Sequence, residues 1–69
     1  MLLRGTVVSF DSVNHLATVR FDGSAPQVMS AIKTARNIAS AEMTAARRVV
    51  VDAGDHGDAG DAVVIAVYG

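Results

Sequence analysis

The segment LRGTVVSFDSVNHLATVRFDG, residues 3–23, decides the fold class of this protein. Residues 3–10 are rich in β-branched side chains and predict a first strand. The cluster DSVNH at 11–15 favours a turn, because Asp, Ser and Asn side chains bond to nearby backbone groups. Residues 16–21 then predict a second strand. Two strands joined by a short polar turn indicate a β-hairpin, and therefore a β-rich fold.

The second strand is predicted to be buried on one face. Ala17, Val19 and Phe21 recur at every second position, which is the period of a half-buried strand. The dipeptide Asp22-Gly23 follows at once and is a strong turn signal. We therefore expect these three side chains to face a core, and the chain to reverse again after them.

The middle of the chain predicts a third strand and one short helical turn. Pro26 restricts the third strand, 27–33, to a sheet edge or to a start just after the proline. Residues 34–46 are rich in alanine, and we expect one helical turn or two there rather than a long helix. Ser40 is the expected N-cap, with Glu42 in the first turn, where the helix dipole favours a negative charge.

Two apolar segments complete the predicted sheet. Residues 47–53 and 62–68 predict a fourth and a fifth strand. Short strands at a spacing of about 10 residues, with a helical turn between the third and the fourth, are typical of a small barrel. We expect residues 1–69 to form a single all-β domain, a five-stranded OB-like barrel. An SH3-like barrel is the alternative.

Composition favours association between copies of the chain. Hydrophobic residues make up 51% of the 69 residues, and the absence of cysteine excludes disulfides. A domain of this size buries only about 60% of its unfolded surface, and natural proteins of this size usually add disulfides, a metal or a partner subunit. The predicted partner is therefore the chain itself, in a homo-oligomer that is a trimer or a larger ring.

The last strand is the predicted interface, because it is apolar on both faces and so small a core cannot bury both. We expect its residues to alternate between the core and the interface. An aspartate at whichever of Val64 and Ala66 faces outward should then dissociate the assembly. The predicted interface residues are Val63, Val64, Ile65, Ala66, Val67 and Tyr68.

Charge is distributed unevenly along the chain. Residues 1–51 carry six basic and three acidic residues, a net charge of +3, whereas residues 52–69 carry four aspartates, a net charge of −4. This polarity suits a contact between the acidic segment of one copy and the basic segment of another. The alternative is an acidic loop that is only solvated. The predicted charge contacts join Lys33, Arg36, Arg47 and Arg48 to Asp55 and Asp58.

The same four basic residues define an alternative function, nucleic-acid binding. OB barrels bind single strands through a basic groove and stacking aromatic side chains. The aromatic residues here are Phe10, Phe21 and Tyr68, and the two phenylalanines are expected in the core. The net charge of the whole chain is −1. The sequence therefore does not favour a nucleic-acid partner.

The acidic segment DAGDHGDAGD, residues 52–61, raises the question of a metal site. Its aspartates are three residues apart and not two, as in an EF-hand loop, and no glutamate closes the segment. Its glycines and aspartates favour a bend between the fourth and fifth strands. No metal and no cofactor is therefore predicted. The candidate ligands, if a metal did bind, are Asp52, Asp55, His56, Asp58 and Asp61.

The sequence contains no known catalytic motif. The nucleophile elbow, the zinc-protease motif and the phosphate-binding loop are absent, and His15 has no companion in sequence. We predict no catalytic residues and no enzymatic activity. The first residues lack the apolar core of a signal peptide, and the apolar run 62–68 is far shorter than the roughly 20 residues of a membrane helix. We expect a soluble protein without a membrane partner.

Four segments of the chain resemble a group of small phage and prophage β-barrel proteins. The segments are GTVVSFD at 5–11, VRFDGS at 19–24, ARNIASAEM at 35–43 and DAVVIAVY at 61–68. Comparable proteins have an apolar residue and an Asn-Pro or Asp-Pro turn where this chain has its acidic segment. The resemblance implies an OB-like virion module of the tail, the baseplate or the capsid decoration, with no catalytic residues. It also implies other virion proteins as partners, and a location in the virion or the host cytoplasm.

Overall fold

The computed structural model describes residues 2–23, 27–54 and 61–69. Every strand lies within one residue of its predicted bounds, so the predicted all-β, five-stranded barrel with one short helical turn between the third and fourth strands is confirmed. The elements are β1 (Leu2–Asp11), β2 (Leu16–Phe21), β3 (Val28–Thr34), a 3₁₀ turn (Ser40–Glu42), β4 (Arg48–Asp52) and β5 (Val63–Val67).

The strands close in the order β1-β2-β3-β5-β4, and β4 pairs with β1 to complete the barrel. The pairing of β3 with β5 is parallel, whereas the other pairings are antiparallel. The parallel pairing is short, with Lys33 opposite Val63 and Thr34 opposite Val64. A parallel pair requires a crossover connection. The chain between β3 and β5, which includes β4, supplies it.

Small aliphatic side chains from all five strands fill the barrel interior. Ala17 and Val19 are buried and Phe21 packs half-buried against the same core, which confirms the predicted inward face of β2. In a barrel this narrow, valine and alanine are large enough to fill the interior. The other buried core residues are Val7, Ile32, Met43, Val49, Val51, Ala62 and Val64.

The predicted cap of the helical turn is wrong. Ala39 occupies the N-cap position instead of Ser40, and no side chain caps the turn. A Ser40 cap would accept bonds from the N–H groups of Glu42 and Met43, but these already donate to the carbonyls of Ala39 and Ser40, both at 3.0 Å. Glu42 does lie in the first turn, as predicted. The described ranges contain no helix long and apolar enough to cross a membrane.

Register shifts bend three of the strands. β1 has an extra residue at Val8 opposite β2, and β5 has one at Ile65 opposite β4. β3 has an extra residue between Met29 and Ile32. Within that stretch Ala31 has a φ of +58°, in the left-handed region that alanine rarely adopts. Bulges increase the local bend and twist of a strand, and closing a sheet of so few strands requires such bends.

Gly5 marks a close approach of β1 to β2. It is buried and pairs with Phe21 on one side and with Val49 on the other. A Cβ atom at this position would lie 2.6 Å from Cγ1 of Val19 and 2.8 Å from the carbonyl oxygen of Arg20. A side chain at Gly5 would therefore push β1 away from β2.

Candidate functional site

The outer surfaces of β1, β4 and β5 form one continuous three-stranded face. One row of paired residues crosses it from Arg4 through Val50 to Ala66. A neighbouring row is made of Leu2, Asp52 and Val63. We use the name outer face for the following residues of this surface: Leu2, Arg4, Val50, Asp52, Val63, Ile65, Ala66 and Tyr68.

The outer face is largely apolar and accessible. Leu2, Ile65 and Tyr68 are 64%, 43% and 50% exposed. Val50 and Ala66 between them are half-buried by their neighbours in the sheet. Apolar side chains grouped on one surface mark interaction sites more often than apolar side chains scattered singly. The outer face therefore has the composition of an interface.

Tyr68 lies beside two guanidinium groups at one end of the outer face. The guanidinium carbons of Arg4 and Arg48 are each 5.9 Å from the centroid of its ring, within the range of a cation–π contact. The backbone N–H of Tyr68 donates to the carbonyl of Arg48 at 2.9 Å, which holds the end of the chain against β4. Arg4, Val50 and Tyr68 line a shallow concavity of about 240 Å³. A flat aromatic side chain with cations beside it can pack against a partner without leaving its own barrel.

The side chains of β5 do not alternate between the inside and the outside of the barrel along the whole strand, because the extra residue at Ile65 shifts the register against β4. Val64 is fully buried, and Val67 packs against the same core although it is three residues further on. Val64 is therefore a core residue and cannot contact a second chain, whereas Ala66 pairs with Val50 on the outside. The predicted interface residues that remain accessible are Val63, Ile65 and Ala66 on this strand and Tyr68 just after it.

Two of the four predicted basic contact residues are already paired within the chain. Nη1 of Arg47 lies 3.4 Å from Oε2 of Glu42, and Nη2 of Arg48 donates to Oδ2 of Asp22. All four side chains are between 42% and 56% exposed, so solvent screens these pairs and each adds little to stability. Arg47 and Arg48 thus have acidic neighbours of their own and do not extend a common basic patch.

Lys33 and Arg36 lie together at a second concavity of about 220 Å³. It opens between the β1–β2 turn and the end of β3. No described residue forms an ion pair with either side chain. The four basic residues that the sequence grouped are therefore divided between different surfaces. The concavity is lined by Asn14, His15, Leu16, Lys33, Thr34 and Arg36.

The acidic segment is only partly described. Oδ1 of Asp52 accepts a hydrogen bond from the backbone N–H of Gly54 at 2.9 Å, which is the local bond predicted for a bend, and this bond lowers the pKa of the Asp52 carboxyl. Asp61 is exposed. Within residues 2–23, 27–54 and 61–69, no three acidic or histidine side chains lie close enough together to hold a metal.

The remaining predicted metal ligands, Asp55, His56 and Asp58, lie outside the described residues. The same holds for the acidic partners of the predicted charge contacts, Asp55 and Asp58. What the sequence predicts for this segment, a bend without a bound metal and charge contacts with a second copy, therefore stays a prediction.

The β1–β2 turn is held by the carboxylate of Asp11. Its Oδ1 accepts the backbone N–H groups of Val13 and Asn14 at 3.0 and 3.3 Å, and its Oδ2 accepts the side-chain amide of Asn14 at 2.9 Å. The Asn14 side chain is the main cause that lowers the pKa of Asp11 below its ordinary value of 3.8. The folded state thus stabilises the charged form.

We expect Asp11→Asn to lower the melting temperature at pH 7 by a small amount and to have less effect near pH 3. A carboxyl whose pKa is lowered by folding stabilises the protein above its unfolded pKa, and that stabilisation is lost as the pH falls through the folded pKa. Thermal melts of both proteins at the two pH values measure the difference. An equal difference at both would show that the charge of Asp11 is not what holds the turn.

Sequence reasoning missed several residues of both surfaces. Arg4 and Thr34 gave no signal, because their roles come from pairing with strands that are distant in the chain. Asn14 and His15 were assigned only to a turn. The bulges did leave a signal, since doubled apolar residues at Val7-Val8 and Val64-Ile65 interrupt the expected alternation.

No family model matches this sequence, and searches of curated proteins and of solved structures found no significant match.

Proposed function

We propose that this protein is a non-enzymatic structural module that self-associates through the outer face. The observation that carries the proposal is the exposure of Leu2, Ile65 and Tyr68, each at least 43% exposed, on β1 and on or just after β5, the two strands that flank β4. Burying them against another copy would remove apolar surface from water, and each fully buried side chain of this size contributes roughly 1.5–3 kcal/mol. The proposal assigns no catalytic residue and no cofactor.

Charge complementarity supports a second copy as the partner. Arg4 lies within the outer face and Arg48 lies beside it. Asp52 and Asp61 are the first and last residues of the acidic segment, which carries all four negative charges of residues 52–69. In a cyclic oligomer the acidic segment of one copy can meet Arg4 of the next, whereas Arg48 is already paired with Asp22 of its own chain. A trimer or a larger ring satisfies this arrangement.

We further propose that the barrel is of the OB type and that the protein is a component of a phage-type particle, such as a tail, baseplate or capsid-decoration module. The strand order supports the first point, because β5 inserts between β3 and β4 and does not simply follow β4 at the end of a meander. The second point rests on the resemblance of the four sequence segments. A closed barrel has no open sheet edge at which copies could pair without control, which suits a repeated place in a symmetric particle.

The alternative function, nucleic-acid binding by the four basic residues together, gains no support from their arrangement. Lys33 and Arg36 line one concavity, whereas Arg47 and Arg48 are paired to acids elsewhere. Phe10 and Phe21 pack against the core and are not free to stack on bases.

We expect Ile65→Asp and Ala66→Asp to shift the protein from an oligomer to a monomer, with at least a tenfold weaker association. Each change buries a charge in the proposed apolar interface while leaving the barrel interior untouched. Sedimentation velocity measures the distribution of species. The matched control is Val13→Asp, which adds the same charge at a valine that is 88% exposed in the β1–β2 turn.

If Val13→Asp weakens association as much as the two β5 variants, the effect is one of net charge and the outer face is not the interface. If all three variants keep the oligomer of the parent protein, another surface holds the copies together. Circular dichroism of each variant confirms that the barrel is still folded.

A further inference from the structure

The pairing of β3 with β5 is the shortest between neighbouring strands of the barrel. Among the described residues it consists of two residue pairs, Lys33 with Val63 and Thr34 with Val64, whereas each of the other neighbouring strand pairs has four or more. We use the name seam for these four residues. The bulge at Ile65 follows Val64 directly, and bulges commonly end the pairing of a strand. A pairing this short is held by few backbone hydrogen bonds, so the seam is the least supported closure of the barrel.

The side chain of Thr34 makes the closed seam less favourable. Thr34 is 6% exposed and is the one buried polar residue among those described, and its hydroxyl has no hydrogen-bond partner there. It lies on the inner side of β3, opposite the fully buried Val64. A buried hydroxyl without a partner destabilises the state that buries it, because it has lost its hydrogen bonds to water. Separation of β3 from β5 would let water reach this hydroxyl and would remove that cost.

The end of β3 is also bonded on its other side, to the β1–β2 turn. The backbone N–H of Thr34 donates to the carbonyl of His15 at 3.1 Å, and Nε2 of His15 lies 3.3 Å from the carbonyl oxygen of Ala35. On the seam side, the backbone N–H of Ala35 donates to the carbonyl of Val64 at 2.9 Å. The amides of Thr34 and Ala35 are thus neighbours that bond to opposite sides of β3. If the seam separates, the Ala35 bond breaks while the Thr34 bond remains.

We propose that the barrel opens at the seam while its other strand pairs stay formed. The opened molecule is a five-stranded sheet in the order β3-β2-β1-β4-β5, so that β3 and β5 become its edges. The closed barrel has no open edge, whereas each new edge presents unpaired backbone groups to which an extended segment of another protein chain can add. The strands of the outer face, β1, β4 and β5, stay together in both forms. The proposal therefore does not depend on self-association through that face.

Hydrogen exchange of the unmodified protein, followed by NMR at several low concentrations of urea, measures the opening. A partial opening gives an exchange rate that rises with urea, but less steeply than the rate of amides released only by global unfolding. We expect this intermediate slope for the amide of Ala35. We expect the steeper, global slope for the amides of Thr34 and Val7, which bond to His15 and Arg47.

Two results of this measurement would overturn the proposal. A global slope for Ala35 would show that the seam opens only when the whole barrel unfolds. A slope of zero would show that the Ala35 amide is released by fraying that exposes no buried surface.

A reversible cross-link tests the location of the opening. The double substitution Lys33→Cys with Val63→Cys places two cysteines opposite each other across the seam, in a chain without other cysteines. Neighbouring strands lie about 4.7–4.9 Å apart, which is within the Cα separation of a disulfide. We expect the Ala35 amide of the oxidised form to exchange about tenfold or more slower than that of the reduced form, and with the slope of Val7. Equal Ala35 rates in the two forms would contradict an opening between β3 and β5.

Thr34→Val tests the contribution of the buried hydroxyl. Valine keeps the shape of threonine without the hydroxyl, so opening no longer hydrates an unsatisfied group, and the Ala35 amide should exchange about threefold or more slower. The matched control is Thr18→Val in β2, whose strand pairs stay formed in the opened sheet, and it should leave the Ala35 rate within about twofold. An unchanged or faster Ala35 rate in Thr34→Val, or an equal slowing in the control, would contradict an opening that exposes Thr34.

Discussion

Val64→Asp is expected to unfold the barrel at pH 7. Val64 is fully buried, and its neighbours across the sheet are Val51 of β4 and Thr34 of β3. A carboxylate at this position would lie in the aliphatic core, with the Thr34 hydroxyl as the polar group of its cross-strand neighbours. A buried ion without a partner costs several kcal/mol, about 4 or more. A domain of this length has a free energy of unfolding of only about 3–10 kcal/mol. Thermal melts followed by circular dichroism measure the loss.

The effect should depend on pH in a defined direction. Burial raises the pKa of the introduced carboxyl above about 3.9, so the folded state binds more protons than the unfolded state once the pH exceeds that value. Stability then falls as the pH rises, and the deficit relative to the parent protein is smaller at pH 4 than at pH 7. The matched control is Ala66→Asp, which introduces the same charge on the outer side of the same strand. Equal melting temperatures for the two variants at pH 7 would contradict the placement of Val64 inside the barrel.

Gly5→Ala is expected to destabilise the protein by about 1–3 kcal/mol, the range found when atoms are added to a close-packed site. The new Cβ atom would lie 2.8 Å from the carbonyl oxygen of Arg20, which is backbone and can give way only if β1 and β2 separate. The loss corresponds to a fall in melting temperature of about 4–8 °C for each kcal/mol in a domain of this size. Ser9→Thr is the control, since it adds a methyl group at an exposed position of the same strand.

A double substitution tests the cause. The Cβ of the alanine would also lie 2.6 Å from Cγ1 of Val19. Val19→Ala removes that atom, so Gly5→Ala should cost less in the Val19→Ala background than in the parent protein. Part of the cost should remain, because the contact with the Arg20 carbonyl is unchanged. Strictly additive effects would show that the close approach is not the reason for the glycine.

The strands could be predicted from the sequence because β-branched residues, alternating apolar residues and turn residues mark each of them locally. The alternation in β2 and the turn residues after β1 and β2 depend only on neighbouring residues, and the structure reproduces them within one residue. The narrow core of valine and alanine likewise follows from a composition with few aromatic residues. These features do not depend on which strand pairs with which.

The surfaces could not be predicted in the same way, because they depend on pairing between distant segments. The bulge at Ile65 places Val64 and Val67 on the same inner side, which a strict two-residue period does not allow. The sequence grouped Lys33, Arg36, Arg47 and Arg48 in one basic patch, but the structure separates them. Asp22, which pairs with Arg48, is 26 residues away in the chain. The parallel pair of β3 and β5 has no local signature in the sequence.

Native mass spectrometry of the unmodified, metal-exchanged protein tests the central claim, self-association, most directly. The account predicts a discrete species whose mass is three or more times that of the 7.1 kDa chain, with no bound ion. A protein that stays a single 7.1 kDa chain at micromolar concentration would contradict it. A monomer with one bound metal ion per chain would go further and move the functional centre to the acidic segment.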